Sequence, residues 1–441
     1  MNFRYHEMPK DIFDALAAGR GGPTAIRALA KARYSKHLIL LRGILAAAQG
    51  AGPEQARLAR DGFDLLLAVQ QHDPALARQV ILHPSIGAWA LRCVRQPRHD
   101  PAFTGPGPAA EPGWLSAAAA AAAIRAGLPA EIDVRPAGGV LLLPSLGQAE
   151  LDAPTVSVRN GEDGAEISAG RCRVKVPDDP HRDAPGWLGL RGLRAGALDV
   201  LIDDLDPFRL PSSTSLAPRL GPAEATRLDA ALQQAWRLLE AYHPATAAEI
   251  AAAVTVIVPL SNPRGGQVSS SSPATFGTVA LSEPPDPCTG AVTLAHEIQH
   301  LKLSALIDLS PMILPEDGRG YYAPWRDDPR PLSGLLQGAY AFLGVATFWQ
   351  RQRHLEVCHD DLRAHTEFAR WRTAVTRTIE TLLSSGRLTP AGLDFVQGMS
   401  RTADAWRDET VPAEAGLAAR RQTESHLARW ERDNGRPAGP S

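Results

Sequence analysis

The stretch AVTLAHEIQHLKL, residues 291–303, sets His296 and His300 four positions apart, with Glu297 directly after the first. Apolar residues surround them (Val292, Leu294, Ala295, Ile298, Leu301 and Leu303), which predicts a helix half buried on the motif side. On a helix, positions i and i+4 share one face. Two imidazoles can then meet one metal ion, and Glu297, one step round, can hold a water beside it. Buried histidines need partners, and a metal supplies one. Two solvated histidines on a surface helix would fit these apolar flanks poorly.

His-Glu-x-x-His is the pattern of zinc peptidases, and zinc hydrolysis needs a third protein ligand plus an open position for water. After His300 the chain reads LKLSALIDL, without the Gly and His of the metzincin extension. The next predicted helix, PLSGLLQGAYAFLGVATFW (331–349), contains no Asp or Glu. Its most ligand-like side chain is Gln337, with Tyr340 nearby. The intervening loop carries Asp308, Glu316, Asp317, Asp327 and Asp328. Asp308 lies roughly 12 Å beyond His300 along a continuous helix, out of reach. Asp327 and Asp328, in YYAPWRDDPRPL (321–332), are better placed if that loop folds back. Two histidines and one carboxylate form the facial triad of non-haem Fe(II) oxygenases. Gln337, Asp327 and Asp328 therefore all stand as third-ligand candidates. Arg326 and Arg330 in the same loop suit a dicarboxylate such as 2-oxoglutarate, because a guanidinium pairs bidentately with a carboxylate. The competing reading is that these arginines pair with the neighbouring aspartates.

Around this motif the expected fold is α+β and predominantly helical. Residues 1–130 read as a helical N-terminal region. Residues 131–220 alternate with a period near two and read as β-rich, with NGEDG (160–164) as a hairpin tip. Residues 221–435 form the HExxH domain: a zincin-like core with a small strand pair, VTVIVPL (254–260) and FGTVALS (276–282), and further helices at 332–351, 357–384, 389–399 and 401–432. Phe276, Gly277 and Val279 mark an edge strand onto which an extended peptide could add. Ser269–Ser272 and the histidines 354, 359 and 365 lack a ligand-like spacing and read as surface. No internal repeat is evident.

Composition narrows the function classes. The 441 residues are 21% charged and 44% hydrophobic with a net charge of −2, so nothing attracts the chain in bulk to nucleic acid or anionic lipid. The opening MNFRYHEMPKDIFDALAAG has no signal-peptide pattern, and SAAAAAAAIRAG (116–127) is too short and too alanine-rich for a membrane span. Cys93, Cys172, Cys288 and Cys358 form no CxxC pair. Unpaired thiols in a reducing cytoplasm are expected.

LAHEIQHLKLSALIDL followed by YYAPWRDDPRPLSGLLQGAYAFLGVATFW resembles the bacterial HExxH-motif proteins encoded beside ribosomally synthesised, post-translationally modified peptides, many of them neighbours of radical-SAM enzymes. ARYSKHLILLRGIL, HPSIGAWALRCVR and SSSPATFGTVALS extend the resemblance over most of the chain, and APWRDDPRP and LLQGAY are more specific than HExxH itself. The resemblance implies a 2-oxoglutarate- and iron-dependent peptide β-hydroxylase. His296 and His300 would bind Fe(II), an Arg of the WRDDPR loop would hold 2-oxoglutarate, and O₂ would supply the oxygen for the Cβ of a precursor-peptide residue. Members of that family often carry His in the region that reads QGAYAFLG here, where this chain has Gln337 and Phe342, so the third ligand stays open. Two other readings compete: a zinc metallopeptidase acting on a precursor peptide with Glu297 as general base, and a non-catalytic precursor-binding protein.

Overall fold

A computed structural model describes residues 6–95, 109–211, 215–262, 265–355 and 361–435. Most of the loop expected at 97–113, the tail after 435, His359 and Cys358 lie outside the described residues. The helices α1 (Lys10–Ala17), α2 (Gly22–Ala48), α3 (Pro53–His72), α4 (Pro74–Ile81), α5 (Pro84–Arg95) and α6 (Leu115–Arg125) come first. Strands follow: β1 (Ala130–Val134), β2 (Val140–Leu143), β3 (Gly147–Glu150), β4 (Val156–Gly161), β5 (Gly164–Ala169), β6 (Cys172–Lys175), β7 (Trp187–Gly189), β8 (Arg191–Ala195) and β9 (Leu198–Ile202). Then come α7 (Pro222–Tyr242), α8 (Pro244–Ala253), β10 (Val256–Pro259), β11 (Ser269–Ser270) and β12 (Thr278–Leu281). The chain closes with α9 (Pro287–Ile307), α10 (Leu332–Gln352), α11 (Asp361–Ser384), α12 (Pro390–Asp404) and α13 (Ala413–Asn434). The fold is α+β, mostly helical, with small sheets.

The chain forms two compact units built from interleaved stretches rather than consecutive segments: Met1–Leu29, Ala231–Ala253 and Pro284–Ser441 in one, Ala30–Ala230 and Val254–Glu283 in the other. In the second unit the alanine run of α6 is buried from Leu115 to Ala123. Alanine lets α6 lie close to α3, and Gly62 completes the fit, since a Cβ there would sit 2.6 Å from Ser116 N. The strands form three sheets, in orders β1-β4-β5-β6, β2-β3-β7 and β11-β12-β10-β9-β8, and the first two pack on α6. The β4–β5 hairpin turns at Gly161 and Gly164, the expected NGEDG tip. The strand pair read from the sequence is the centre of the five-stranded sheet, because β10 runs parallel to both β9 and β12. Val256, Ile257 and Val258 are all buried, as a strand covered on both faces requires.

The first unit packs α9 against α8 and α10, α10 against α11, and α11 against α12 and α13. Helix α9 starts at Pro287 because Asp286 caps it: its Oδ1 accepts from Thr289 N at 2.8 Å. Where one helix was expected over 401–432, α12 continues to Asp404 and α13 begins only after Pro412. Lys302, 1% exposed along its side chain, donates to Glu249 Oε2 at 2.6 Å and to Gly19 O at 3.1 Å. Helix α10 is long and apolar enough to cross a membrane by length and composition, yet most of it is buried against its neighbours. The expectation of four unpaired thiols fails at Cys288, which is disulfide-bonded.

Two predictions follow from this packing. Removing one partner of a buried ion pair strands the other charge, so Lys302→Ala should cost about 3–5 kcal/mol in chemical denaturation. The second concerns the end of β9. There Asp206 is pushed up to about 8, by burial first and then by Asp203, against the Phe208 N–H and Arg209. Burial raises Asp203 as well. An acid raised in the folded state contributes stability that is complete below its unfolded pKa and lost as pH climbs toward the folded value. His83, lowered to about 3 by burial and by Arg125, gives the opposite trend, confined below its unfolded 6.5. Between pH 6.5 and 8, urea titrations should therefore show wild type losing stability relative to Asp206→Asn. Parallel curves would remove Asp206 as the source.

Candidate metal centre

The α9 backbone puts His296 and His300 on one face, as their spacing predicts. Their Nε2 atoms lie 3.1 Å apart. Two imidazole nitrogens bound to one ion at about 2.0–2.1 Å sit roughly 2.8–3.4 Å apart for bond angles from about 90° to tetrahedral. The observed separation falls in that range. A hydrogen bond from one ring to the other would also give it, so the surroundings decide.

Gln337 on α10 fixes the tautomer of His300. Its Nε2 donates to Ser304 Oγ at 3.3 Å, which turns its Oε1 toward His300 Nδ1 at 3.2 Å. Nδ1 then carries the proton and Nε2 presents a bare lone pair. His296 is held neutral: burial first, then His300, lower it to about 4, against the pull of Glu297. Beside them is the buried Glu297, its Oε1 3.9 Å from His296 Nε2 and its Oε2 without any hydrogen-bond partner. A ring-to-ring hydrogen bond leaves that carboxylate oxygen unsatisfied. A cation or its bound water satisfies it, so the residues present fit a divalent metal.

The other side of His296 is aromatic. Phe342 meets it edge to face at 5.0 Å. Phe342 is itself layered between Trp325 at 4.8 Å and Trp371 at 4.2 Å. Trp325 lies in a notch at Gly338, where a Cβ would come within 2.4 Å of the indole. This contact joins the PWRDDPR loop to the QGAY turn of α10. Nothing in the local spacing of residues 325, 342 and 371 announces the group, and sequence reasoning missed it.

Several expected residues lie elsewhere. Gln337 stands behind His300 at Nδ1, not on the Nε2 side, so it orients the ring instead of supplying a third donor. Asp327 is turned to α13, where Arg429 donates to it at 3.1 Å and Asn434 to its backbone oxygen at 2.8 Å. Asp328, 51% exposed, bridges Arg326 Nε at 2.9 Å and Arg330 Nη1 at 3.1 Å. Both arginines expected to hold a dicarboxylate are thus taken by a loop ion pair. Glu316 accepts from Ser333 N and Asp317 pairs with Arg319 and Arg387. Among the described residues no group of three His, Cys, Asp or Glu side chains comes together to hold a metal. The segment expected as an open edge is covered in part. On its outer side β11 pairs with Ala280 and Leu281 of β12, so the serine-rich segment folds back over the C-terminal half of that strand, beyond Phe276, Gly277 and Val279.

No family model matches the chain, and no curated protein matches it either.

His296→Ala and His300→Ala should each abolish bound Fe(II) or Zn(II), measured as metal content after dialysis. Gln337→Ala should keep the metal but weaken its affinity by about 10–100-fold, the usual effect of losing a partner behind a ligand. Complete loss in Gln337→Ala would make that amide a direct ligand.

Proposed function

We propose that this protein is an Fe(II)- and 2-oxoglutarate-dependent enzyme that hydroxylates the Cβ of a residue in a ribosomally made precursor peptide. On this reading α9 is the HExxH helix of a zincin-like core that has kept its histidines and lost the third protein ligand. The observation that carries the metal is the pair of Nε2 atoms at 3.1 Å beside the unpartnered Glu297 oxygen. The oxidative reading draws its support from the donor set. A zinc peptidase normally has three protein ligands. Two nitrogens leave room for a bidentate 2-oxo acid and O₂ on one ion. The likeness of HEIQH, APWRDDPRP and LLQGAY to the peptide-modifying family supplies the substrate class, and a cytoplasmic setting goes with it.

Bound Fe(II) with 2-oxoglutarate and O₂ supplies the oxidation: the 2-oxo acid leaves as succinate and CO₂, one oxygen atom enters succinate and the other the new C–OH. The chain's own residues do the rest. His296 and His300 hold the ion, Gln337 holds the His300 ring, and Phe342 with Trp325 and Trp371 excludes water on one side. Glu297 orients a water or a polar substrate group. Because Asp328 occupies Arg326 and Arg330, the cosubstrate carboxylate needs another cation. Arg370, stacked on Trp371 at 4.3 Å and without a carboxylate partner among the described residues, is a candidate for that role.

A zinc peptidase is the second reading, favoured by the same free Glu297 oxygen, which is where a general base belongs.

Anaerobic loading with Fe(II), then O₂ and the precursor peptide encoded beside the gene, should give a gain of about 16 Da, one oxygen atom, only when 2-oxoglutarate is present. Fragments that appear with zinc and without 2-oxoglutarate would replace this reading by the peptidase. Glu297→Gln separates the two further. It should lower cleavage by about 10²–10⁴, the worth of a general base, while hydroxylation keeps partial activity.

A further inference from the structure

The second unit holds a cavity of about 550 Å³ at the C-terminal end of α6, within the range of small-molecule sites. Its apolar lining includes Leu76, Ile124, Leu146 and Val176, and its polar lining includes Arg125 and His181. Arg125 is half buried, and burial pushes its guanidinium down from the usual range. Its partners are neutral: Nη1 donates to Ser145 Oγ at 3.1 Å and Nη2 to Gln79 Oε1 at 3.0 Å. Among the described residues no carboxylate pairs with it, although Asp178 stands on the exposed rim of the same cavity. The nearby His83 is neutral and offers no compensating charge. The negative end of α6 offsets only part of the charge. A desolvated cation with neutral partners, facing a cavity, is an incomplete ion pair.

The turn that serves Arg125 is strained. Ser145, 2% exposed, has φ 67°, and among the described residues it is the one non-glycine in the left-handed region. It joins β2 to β3, a place where glycine would sit without cost. Serine there keeps a hydroxyl on the guanidinium, and strain of this kind is retained where it positions a functional group.

We propose that this cavity is a carboxylate-binding site: Arg125 holds the anion, Ser145 orients the guanidinium, and the Leu76, Ile124, Leu146 and Val176 surface takes an apolar body. The ligand class is an amphipathic monocarboxylate, either a free organic acid or the C-terminal carboxylate of a peptide. The site is separate from HEIQH and does not rest on the reading of that motif.

The test uses the full chain and two matched pairs of probes: hexanoate against hexanamide, and a leucine-ended tetrapeptide as free acid against its C-terminal amide. Titrations followed by protein NMR should show saturable binding of an acid at least about tenfold tighter than its amide, the worth of a charge-assisted bidentate contact. Whichever acid binds tighter identifies the source. Equal binding of acid and amide, or no binding of either acid up to about 10 mM, overturns the proposal. Arg125→Gln should remove the preference for acid over amide. Because that variant could also unfold, Ser145→Gly is the second arm. It relieves the positive φ, so its melting temperature should hold or rise while hexanoate affinity falls severalfold. Unchanged hexanoate affinity in Ser145→Gly would leave that serine no role in the site.

Discussion

A helix buried along most of its length must find a partner for every polar side chain it carries. Five of the seven residues from His296 to Lys302 are polar or charged. Their partners come from distant parts of the chain. Lys302 takes Glu249 from α8 and Gly19 O from the turn after α1, Gln299 Nε2 takes the same Gly19 oxygen, and His300 takes Gln337 from α10. The requirement explains why Met1–Leu29 and Ala231–Ala253 join Pro284–Ser441 in one unit. Two oxygens on this stretch stay unsatisfied, Gln299 Oε1 and Glu297 Oε2. An amide oxygen left alone costs little beside a carboxylate oxygen. The demand for a further group is therefore concentrated at Glu297, next to the two imidazoles.

Local pattern made much of this readable in advance. Helix α7 and the β10 and β12 strands follow the periodicity of their residues, and the shared face of His296 and His300 needs only 3.6 residues per turn. What was not readable depends on contacts across long separations. The sequence places Asp327 and Asp328 in a loop between the motif and α10, the right place for a third ligand. Only the fold shows that Arg429 and Asn434, about a hundred residues later, draw Asp327 to α13. The partial cover of β12 was hidden for a related reason. A two-residue strand such as β11 has no periodicity to read, yet it pairs with Ala280 and Leu281. The buried carboxyls of Asp203 and Asp206 were also missed, because their burial depends on packing that the local pattern of LIDDLDPF does not carry.

The runs APWRDDPRP and LLQGAY are tied together by one contact, Trp325 in the notch of Gly338, because an indole there needs a residue without a side chain opposite it. It also sets the wall of the centre. Trp325 backs Phe342, and Phe342 meets His296, so the identity of a loop residue reaches the metal-side histidine through two ring contacts.

Gln337 and Phe342 each lie against one of the two histidines. Gln337 meets His300 through Nδ1, where a donor cannot reach an ion held at Nε2. Phe342 meets His296 with carbon and hydrogen only. Neither position supplies a third electron pair, and α10 offers no carboxylate in exchange. A metal held here relies on oxygens that the protein does not provide. That favours a reaction whose cosubstrate is itself a chelate over one that needs only water. The aromatic wall works in the same direction, because Phe342 covers one side of His296 with ring carbon in place of a donor.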